Sequence, residues 1–159
     1  KGRRPDKPAA VMFFSQELAL EALPELGERT RAALRALTPG GVTLLLPNPL
    51  QRFPLACGPD PDTLGLRIPA LTDALAPLAA VSWPVMQSSA NPSGGADARR
   101  LEDVPAGIRD AADLLLDAGE LPGTPSTVVD LRRYEDDGEH TIIRAGAVDP
   151  ADVARRLAA

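Results

Sequence analysis

The chain has 159 residues, of which 44 % are hydrophobic and 25 % are charged, and its formal net charge is −5. This composition is typical of one soluble globular domain and excludes a disordered chain. The negative charge argues against a module held on nucleic acid by phosphate neutralisation alone. An aromatic content of 3 % is too low for the stacking platforms of single-strand binders.

One cysteine, Cys57, and one histidine, His140, limit the chemistry that the chain can carry. Because a lone cysteine forms no internal disulfide, we expect a reducing compartment and a cytoplasmic protein. A zinc site with several His and Cys ligands is excluded, and a Ser-His-Asp triad would have to use His140. No apolar run approaches the roughly 20 residues that span a bilayer, so we expect no membrane partner. The chain starts at Lys1 without a Met, so we expect it to begin inside a longer protein.

Predicted strands and helices alternate along the chain. Apolar runs predict the strands, and Ser15 is a suitable N-cap for the first helix. The expected strands are residues 10–14, 42–46, 63–68, 85–88, 114–117, 126–131 and 141–144, and the expected helical stretches are 16–37, 72–80, 101–112 and one that Asp149 and Pro150 open. This order predicts an α/β domain over residues 1–159, and the hairpin-like pair of strands near the end predicts a mixed sheet.

The loop at residues 88–94 is the first candidate site. It follows a predicted strand and is rich in hydroxyls, an amide and glycine, so it can bind an anion through N–H and O–H donors. Asn91 precedes Pro92 and is therefore biased to an extended backbone that can direct its amide towards a ligand. The alternative is a solvated turn in which Asn and Ser cap their neighbours.

Two further segments carry possible anion ligands. Lys1 and Arg3 point the same way on an extended segment, where they can clamp a triphosphate; the alternative is a solvated basic terminus. Thr63, Gly65 and Arg67 share one face of a strand, and the glycine leaves room for a carboxylate held by Arg67. Here the alternative is a surface ion pair.

The last candidates lie near the ends of later strands. Ser126 can bind a phosphate or a small polar substrate, or it caps a turn. Arg144 is a ligand group or a surface charge. Asp113, Asp117 and Asp130 lie on or beside strands, but Mg²⁺ usually takes one or two carboxylates together with substrate phosphates, so none is assigned as a metal ligand.

Six segments together resemble the YrdC/TsaC family, the threonylcarbamoyl-AMP synthases, in their order and spacing. They are Lys-Gly-Arg…Lys-Pro at 1–8, Pro-Gly-Gly-Val-Thr-Leu-Leu-Leu at 39–46, Gly-Leu-Arg-Ile-Pro at 65–69, Ser-Ser-Ala-Asn-Pro-Ser-Gly at 88–94, Pro-Ser-Thr-Val-Val-Asp at 125–130 and Ile-Ile-Arg-Ala-Gly-Ala-Val at 142–148. The resemblance implies a twisted open mixed sheet with flanking helices around a concave cavity.

The resemblance also implies a reaction. L-Threonine, bicarbonate and ATP give threonylcarbamoyl-AMP and pyrophosphate with Mg²⁺, as a carbamate carboxylate attacks the α-phosphorus. No protein nucleophile is required, because such catalysis consists largely of positioning and charge neutralisation. The product feeds the t6A modification of tRNA through a downstream threonylcarbamoyl transferase complex, and tRNA itself is a possible partner.

Each expected role comes from a matching motif position. The family signature Lys-x-Arg…Ser-x-Asn, the expected catalytic set, corresponds to Lys1, Arg3, Ser89 and Asn91. The residues implied to contact ATP are Arg3, Lys7, Thr63, Ser89 and Arg144. Those implied to hold threonine are Arg67, through its carboxylate, with Ser126 and the backbone near Gln87.

The chain departs from the family pattern at three places. The family's N-terminal part, which helps to bind threonine, is absent; Met12 stands where the family often has His; and Gln87-Ser88 replaces the usual proline before Ser-Ala-Asn. One alternative is therefore a paralogue with the same fold that binds nucleotide or double-stranded RNA without synthase activity. Another is a translation-associated RNA-binding module, which predicts a positive concave face and salt-dependent binding.

Overall fold

A computed structural model describes residues 7–92, 94–117 and 119–159, so the expected ligands Lys1 and Arg3 lie outside the described residues. The described strands are β1 Ala10–Met12, β2 Val42–Pro47, β3 Thr63–Arg67, β4 Val85–Gln87, β5 Thr127–Asp130 and β6 Thr141–Arg144. They form a sheet in the order β4-β1-β3-β2-β5-β6. The pairs β1–β3 and β2–β5 are parallel, and the other three pairs are antiparallel. The mixed α/β sheet expected from the sequence is confirmed.

Helices follow the strands along the chain. The described α-helices are α1 Gln16–Ala22, α2 Glu28–Leu37, α3 Pro54–Cys57, α4 Ala106–Arg109, α5 Tyr134–Asp137 and α6 Pro150–Leu157. Ser15 caps α1 as expected, since its Oγ accepts the Leu18 N–H at 3.2 Å, and Asp149 caps α6 by accepting the Ala151 N–H at 2.7 Å. In the described part of the chain, no helix combines the length and apolar character of a membrane span.

One face of the sheet forms the hydrophobic core with α1, α2 and α6. Strand side chains alternate between two faces, so every second residue of β2 and β3 points to this core. The fully buried strand residues include Leu44, Leu46, Leu64 and Leu66, which pack in one cluster with Leu34 of α2. The core therefore fixes the register of the central strands, and with it the residues on the opposite face.

Several elements differ from the sequence prediction, and the expected helical stretch at 16–37 is divided into α1 and α2. Residues 73–80 form a 3₁₀ helix with Pro77 inside it, because proline lacks the N–H that an α-helix interior needs. The expected helix at 101–112 is reduced to a 3₁₀ turn, Leu101–Asp103, and the short α4. Leu114, Leu115 and Leu116 form no strand and are exposed, since an apolar run becomes a strand only where a neighbouring strand can pair with it.

Glu135 from α5 stabilises the start of α2. Its Oε2 accepts the Thr30 N–H at 2.8 Å and the Thr30 hydroxyl at 3.0 Å, while the N-cap residue Gly27 offers no side chain for this purpose. The bond from the Thr30 N–H and the further hydrogen bonds from Thr30 and Arg29 hold the pKa of Glu135 below its ordinary value of 4.5. A carboxylate thus satisfies an N–H group that the first turn of a helix leaves open.

The contribution of Glu135 to stability should depend on pH. A lowered pKa in the folded state means that the stabilisation is complete above the unfolded pKa, about 4.5, and is lost as the pH falls through the lower folded pKa. Glu135→Gln should therefore be less stable than the wild type at pH 7, with a difference that shrinks below about pH 4.5. Urea unfolding across this range measures it, with the exposed Glu139→Gln as control. A difference that stays constant with pH would contradict this contact.

Candidate ligand-binding site

The sheet face opposite the core carries both polar and apolar side chains, and we call it the open face. Its side chains come from the alternate positions of the same strands and are half-buried, whereas their neighbours are buried. Its residues include Met12, Thr43, Thr63, Gly65, Arg67, Gln87, Val128 and Asp130. Because these residues lie on the rigid central strands, their relative positions are fixed by the core packing behind them.

One end of the open face carries two arginines, and we call Thr43, Arg67, Ser126 and Arg144 the arginine end. The strand pairing brings these residues together, because Thr43 pairs with Val128, which in turn pairs with Arg144. Arg144 Nη2 donates to Ser126 O at 2.8 Å and to Ser126 Oγ at 3.2 Å. The Ser126 and Thr43 hydroxyls hydrogen-bond at 2.7 Å. Thr43, Ser126 and Arg144 are thus connected by hydrogen bonds in one network.

Arg67 is the electrostatic centre of the arginine end. Burial lowers the pKa of its guanidinium, and the positive charge of Arg144 lowers it further. Its Nε is buried and has no hydrogen-bond partner among the described residues. Because arginine stays protonated in proteins, this buried cation cannot become neutral, and an unsatisfied donor beside a second cation favours an anionic ligand. A carboxylate or a phosphate fits this position.

We call the opposite end of the open face, where Thr63 begins β3, the loop end. Gln87 pairs with Ala10, so the residues after β4 lie beside the segments that precede β1 and β3. Thr63 begins β3 and Arg67 ends it, which separates the two ends of the face by roughly 13 Å along the strand. The backbone of the expected ATP ligands Lys7 and Ser89 therefore lies towards the Thr63 end. The expected threonine ligands Arg67 and Ser126 lie at the other end, together with Arg144, which was expected to contact ATP.

Asn91 differs from the expectation that its amide is directed towards a ligand. It is buried, and its Nδ2 donates to Gly95 O at 2.6 Å, Ala96 O at 3.1 Å and Asp97 Oδ1 at 3.1 Å. Its Oδ1 accepts the Ser89 hydroxyl at 2.6 Å. A short loop has few other groups to satisfy its backbone carbonyls, so the amide is used inside the loop. Asn91 therefore holds the loop in shape.

Sequence reasoning missed two residues of this face. Thr43 is a polar residue in the otherwise apolar strand β2, and that anomaly could have identified it. Arg132 follows β5 and reaches the Thr63 hydroxyl from 69 positions away, which no local pattern reveals. Thr43 lies within the matched segment at 39–46 but was given no role there, and Arg132 lies outside the six segments.

The described residues do not form a metal site of their own. They contain no group of three or more His, Cys, Asp or Glu residues that could hold a metal ion. Asp130, the carboxylate nearest the open face, is engaged by Arg132, which also lowers its pKa through a hydrogen bond.

Comparison with known proteins places this fold and face in a family. The sequence profile of the Sua5–YciO–YrdC family, described as "Telomere recombination", matches residues 1–146. The chain belongs to this family. The family resemblance predicted from the six segments is confirmed.

Individual relatives agree with this membership. The chain is 29 % identical over 135 residues to a threonylcarbamoyl-AMP synthase of Pyrococcus abyssi, which covers 84 % of the chain and 39 % of the relative. The structure of P. abyssi Sua5 complexed with L-threonine matches at a TM-score of 0.77 and 25 % identity, covering 98 % of the chain and 45 % of that protein. Escherichia coli YciO shares the fold, with a TM-score of 0.73, 22 % identity and coverage of 94 % and 71 %. The chain thus spans less than half the length of the P. abyssi proteins.

Proposed function

We propose that the protein is a nucleotidyltransferase that makes threonylcarbamoyl-AMP from L-threonine, bicarbonate and ATP. The observation that carries this proposal is the half-buried Arg67, whose Nε lacks a partner and which lies beside a second cation, Arg144. An amino-acid carboxylate satisfies that donor and neutralises the charge. The proposal is supported by the P. abyssi relative, whose name is threonylcarbamoyl-AMP synthase, and by P. abyssi Sua5, which is described as complexed with L-threonine.

The arginine end of the open face suits the binding of threonine, and the loop end suits the binding of ATP. At the arginine end, Arg67 would bind the threonine carboxylate with the help of Ser126. The backbone at Gln87, which pairs with Ala10 nearer the loop end, would assist from there. At the loop end, Lys7, Thr63 and Ser89 would contact ATP as Mg·ATP, and Arg144 would reach the nucleotide from its strand. Lys1 and Arg3, which lie outside the described residues, are proposed as further ligands from the family resemblance alone. These groups neutralise and orient the reacting molecules, which suffices for attack of a carbamate on the α-phosphorus. The product would serve tRNA modification through a downstream transferase.

A paralogue that binds a nucleotide without making the adenylate is the second candidate. One observation favours it: Met12, which replaces the histidine common in the family, pairs directly with Arg67 across β1 and β3. The departure from the family pattern thus lies beside Arg67, at the arginine end of the open face. An RNA-binding role predicts in addition that affinity for double-stranded RNA falls steeply with salt.

The proposed reaction is tested by its requirement for three substrates. The full-length protein should form pyrophosphate and threonylcarbamoyl-AMP only when L-threonine, bicarbonate and ATP are all present, as chromatography of the products would show. Arg67→Met should lower the rate at subsaturating threonine, while the exposed Arg35→Met should not. Binding of ATP without any product would favour the paralogue, and pyrophosphate release that is independent of threonine would contradict the proposal.

A further inference from the structure

Arg132 is anchored by the side chain two residues before it. Its backbone N–H and its Nε donate to Asp130 Oδ1 at 3.0 Å each, and its Nη2 donates to Asp130 Oδ2 at 2.6 Å. A bidentate pair of this kind fixes the plane of the guanidinium as well as its position. The remaining nitrogen, Nη1, is thereby directed away from Asp130 and towards the start of β3.

Arg132 Nη1 donates to Thr63 Oγ1 at 3.2 Å. Arginine carries only donors, so the threonine oxygen must accept this bond and cannot direct its own proton back to Arg132. Among the described residues, no acceptor for the Thr63 hydroxyl proton is found, and Thr63 is half-buried on the open face. The hydroxyl is therefore left with one proton to donate to a molecule on that face.

We infer that Asp130 and Arg132 are positioning residues that hold the Thr63 hydroxyl as a donor to an acceptor oxygen of the bound nucleotide. This inference rests on the proposed function, which places Thr63 against ATP. Asp130 neutralises Arg132, and the Asp60 carboxylate lies 3.9 Å from Nη1 as a second counter-charge. Arg132 therefore contributes direction to a neutral hydroxyl rather than net charge to the site.

Arg132 and Arg144 should differ in how their contributions to ATP affinity depend on salt, because Asp130 neutralises Arg132. Electrostatic attraction to a phosphate is screened by salt, whereas an oriented neutral hydrogen bond is much less affected. Arg132→Met alone would leave the Asp130 carboxylate unpaired, so this test combines Arg132→Met with Asp130→Asn, which leaves the net charge of the pair unchanged. The fold-loss of ATP affinity in that variant should remain similar between low and high salt. The loss caused by Arg144→Met should shrink as salt rises.

A double-mutant cycle on the full-length protein tests the coupling between Arg132 and Thr63. Isothermal titration with ATP should show that Arg132→Met and Thr63→Val each raise the Kd about fivefold, the size of one neutral hydrogen bond. At high salt, where repulsion from the unpaired Asp130 carboxylate is screened, the double variant should lose no more affinity than Thr63→Val alone, because without the hydroxyl there is nothing to orient. Arg132→Lys should restore part of the affinity. The matched control is Arg133→Met, whose exposed arginine pairs with Asp137.

The outcomes distinguish this inference from the proposed function. Losses that multiply in the double variant, or an Arg132→Met protein with wild-type affinity, would overturn the inference alone. Should Thr63→Val fail to fold, Thr63→Ser keeps the hydroxyl and must keep the full Arg132 effect, otherwise the inference is wrong. A protein that does not bind ATP would overturn the proposed function and this inference with it.

Discussion

Arg67→Met should weaken L-threonine binding about 10- to 100-fold, as expected for the loss of a charge-assisted pair with a carboxylate. The free protein should nevertheless be as stable as the wild type or more so. The substitution removes a half-buried cation whose Nε has no partner in the described part of the chain, and it removes the repulsion from Arg144. Titration calorimetry with threonine and urea unfolding of the free protein measure the two effects.

Opposite signs in binding and stability are the signature of a residue kept for a ligand. Arg35 on α2 is exposed, so Arg35→Met is a matched control that should change neither quantity. A different result would contradict the role of Arg67. If Arg67→Met lowers the free energy of unfolding by more than about 1 kcal/mol and leaves threonine affinity unchanged, Arg67 is a structural residue.

Leu66→Ala should destabilise the protein by about 2–5 kcal/mol, because it empties a fully buried position in a central strand. Leu66 has 0 % exposure and lies between Val11 of β1 and Leu44 of β2 in the sheet. Its strand, β3, also carries Thr63 and Arg67 on the opposite face. Urea unfolding, analysed as a two-state transition, gives the change in the free energy of unfolding.

The control for this prediction is Leu55→Ala in α3. Leu55 is 85 % exposed, so its truncation should change the free energy of unfolding by no more than about 0.5 kcal/mol. A cost below about 1 kcal/mol for Leu66→Ala would mean that the core does not depend on β3 as described. The assignment of one face of β3 to the core and the other to the candidate site would then be wrong.

The strands of the core were predictable from the sequence because their alternation is local. In β3, Leu64 and Leu66 alternate with Thr63, Gly65 and Arg67, so the pattern itself separates the core face from the open face. The apolar run at residues 114–117 shows the limit of such reasoning. Its composition is that of a strand, but strand formation depends on pairing with a neighbour that a local pattern does not specify.

The candidate site was predictable where a motif marks it and unpredictable where the contact is long-range. Arg67, Ser126 and Arg144 stand at motif positions, and strand pairing brings them to one end of the open face. Arg132 reaches Thr63 only because β5 and β3 flank β2. Whether the amide of Asn91 faces the loop or a ligand depends on the folded loop itself, so its residue type could not decide the question.

The central claim is that the open face binds an amino acid at the arginine end and a nucleotide at the loop end. A crystal structure of the full-length protein with L-threonine and a non-hydrolysable ATP analogue tests it most directly. We predict the threonine carboxylate within hydrogen-bond distance of the Arg67 guanidinium and the nucleotide against the Thr63 and Ser89 hydroxyls. Both ligands bound away from this face, or threonine bound without contact to Arg67, would contradict the account.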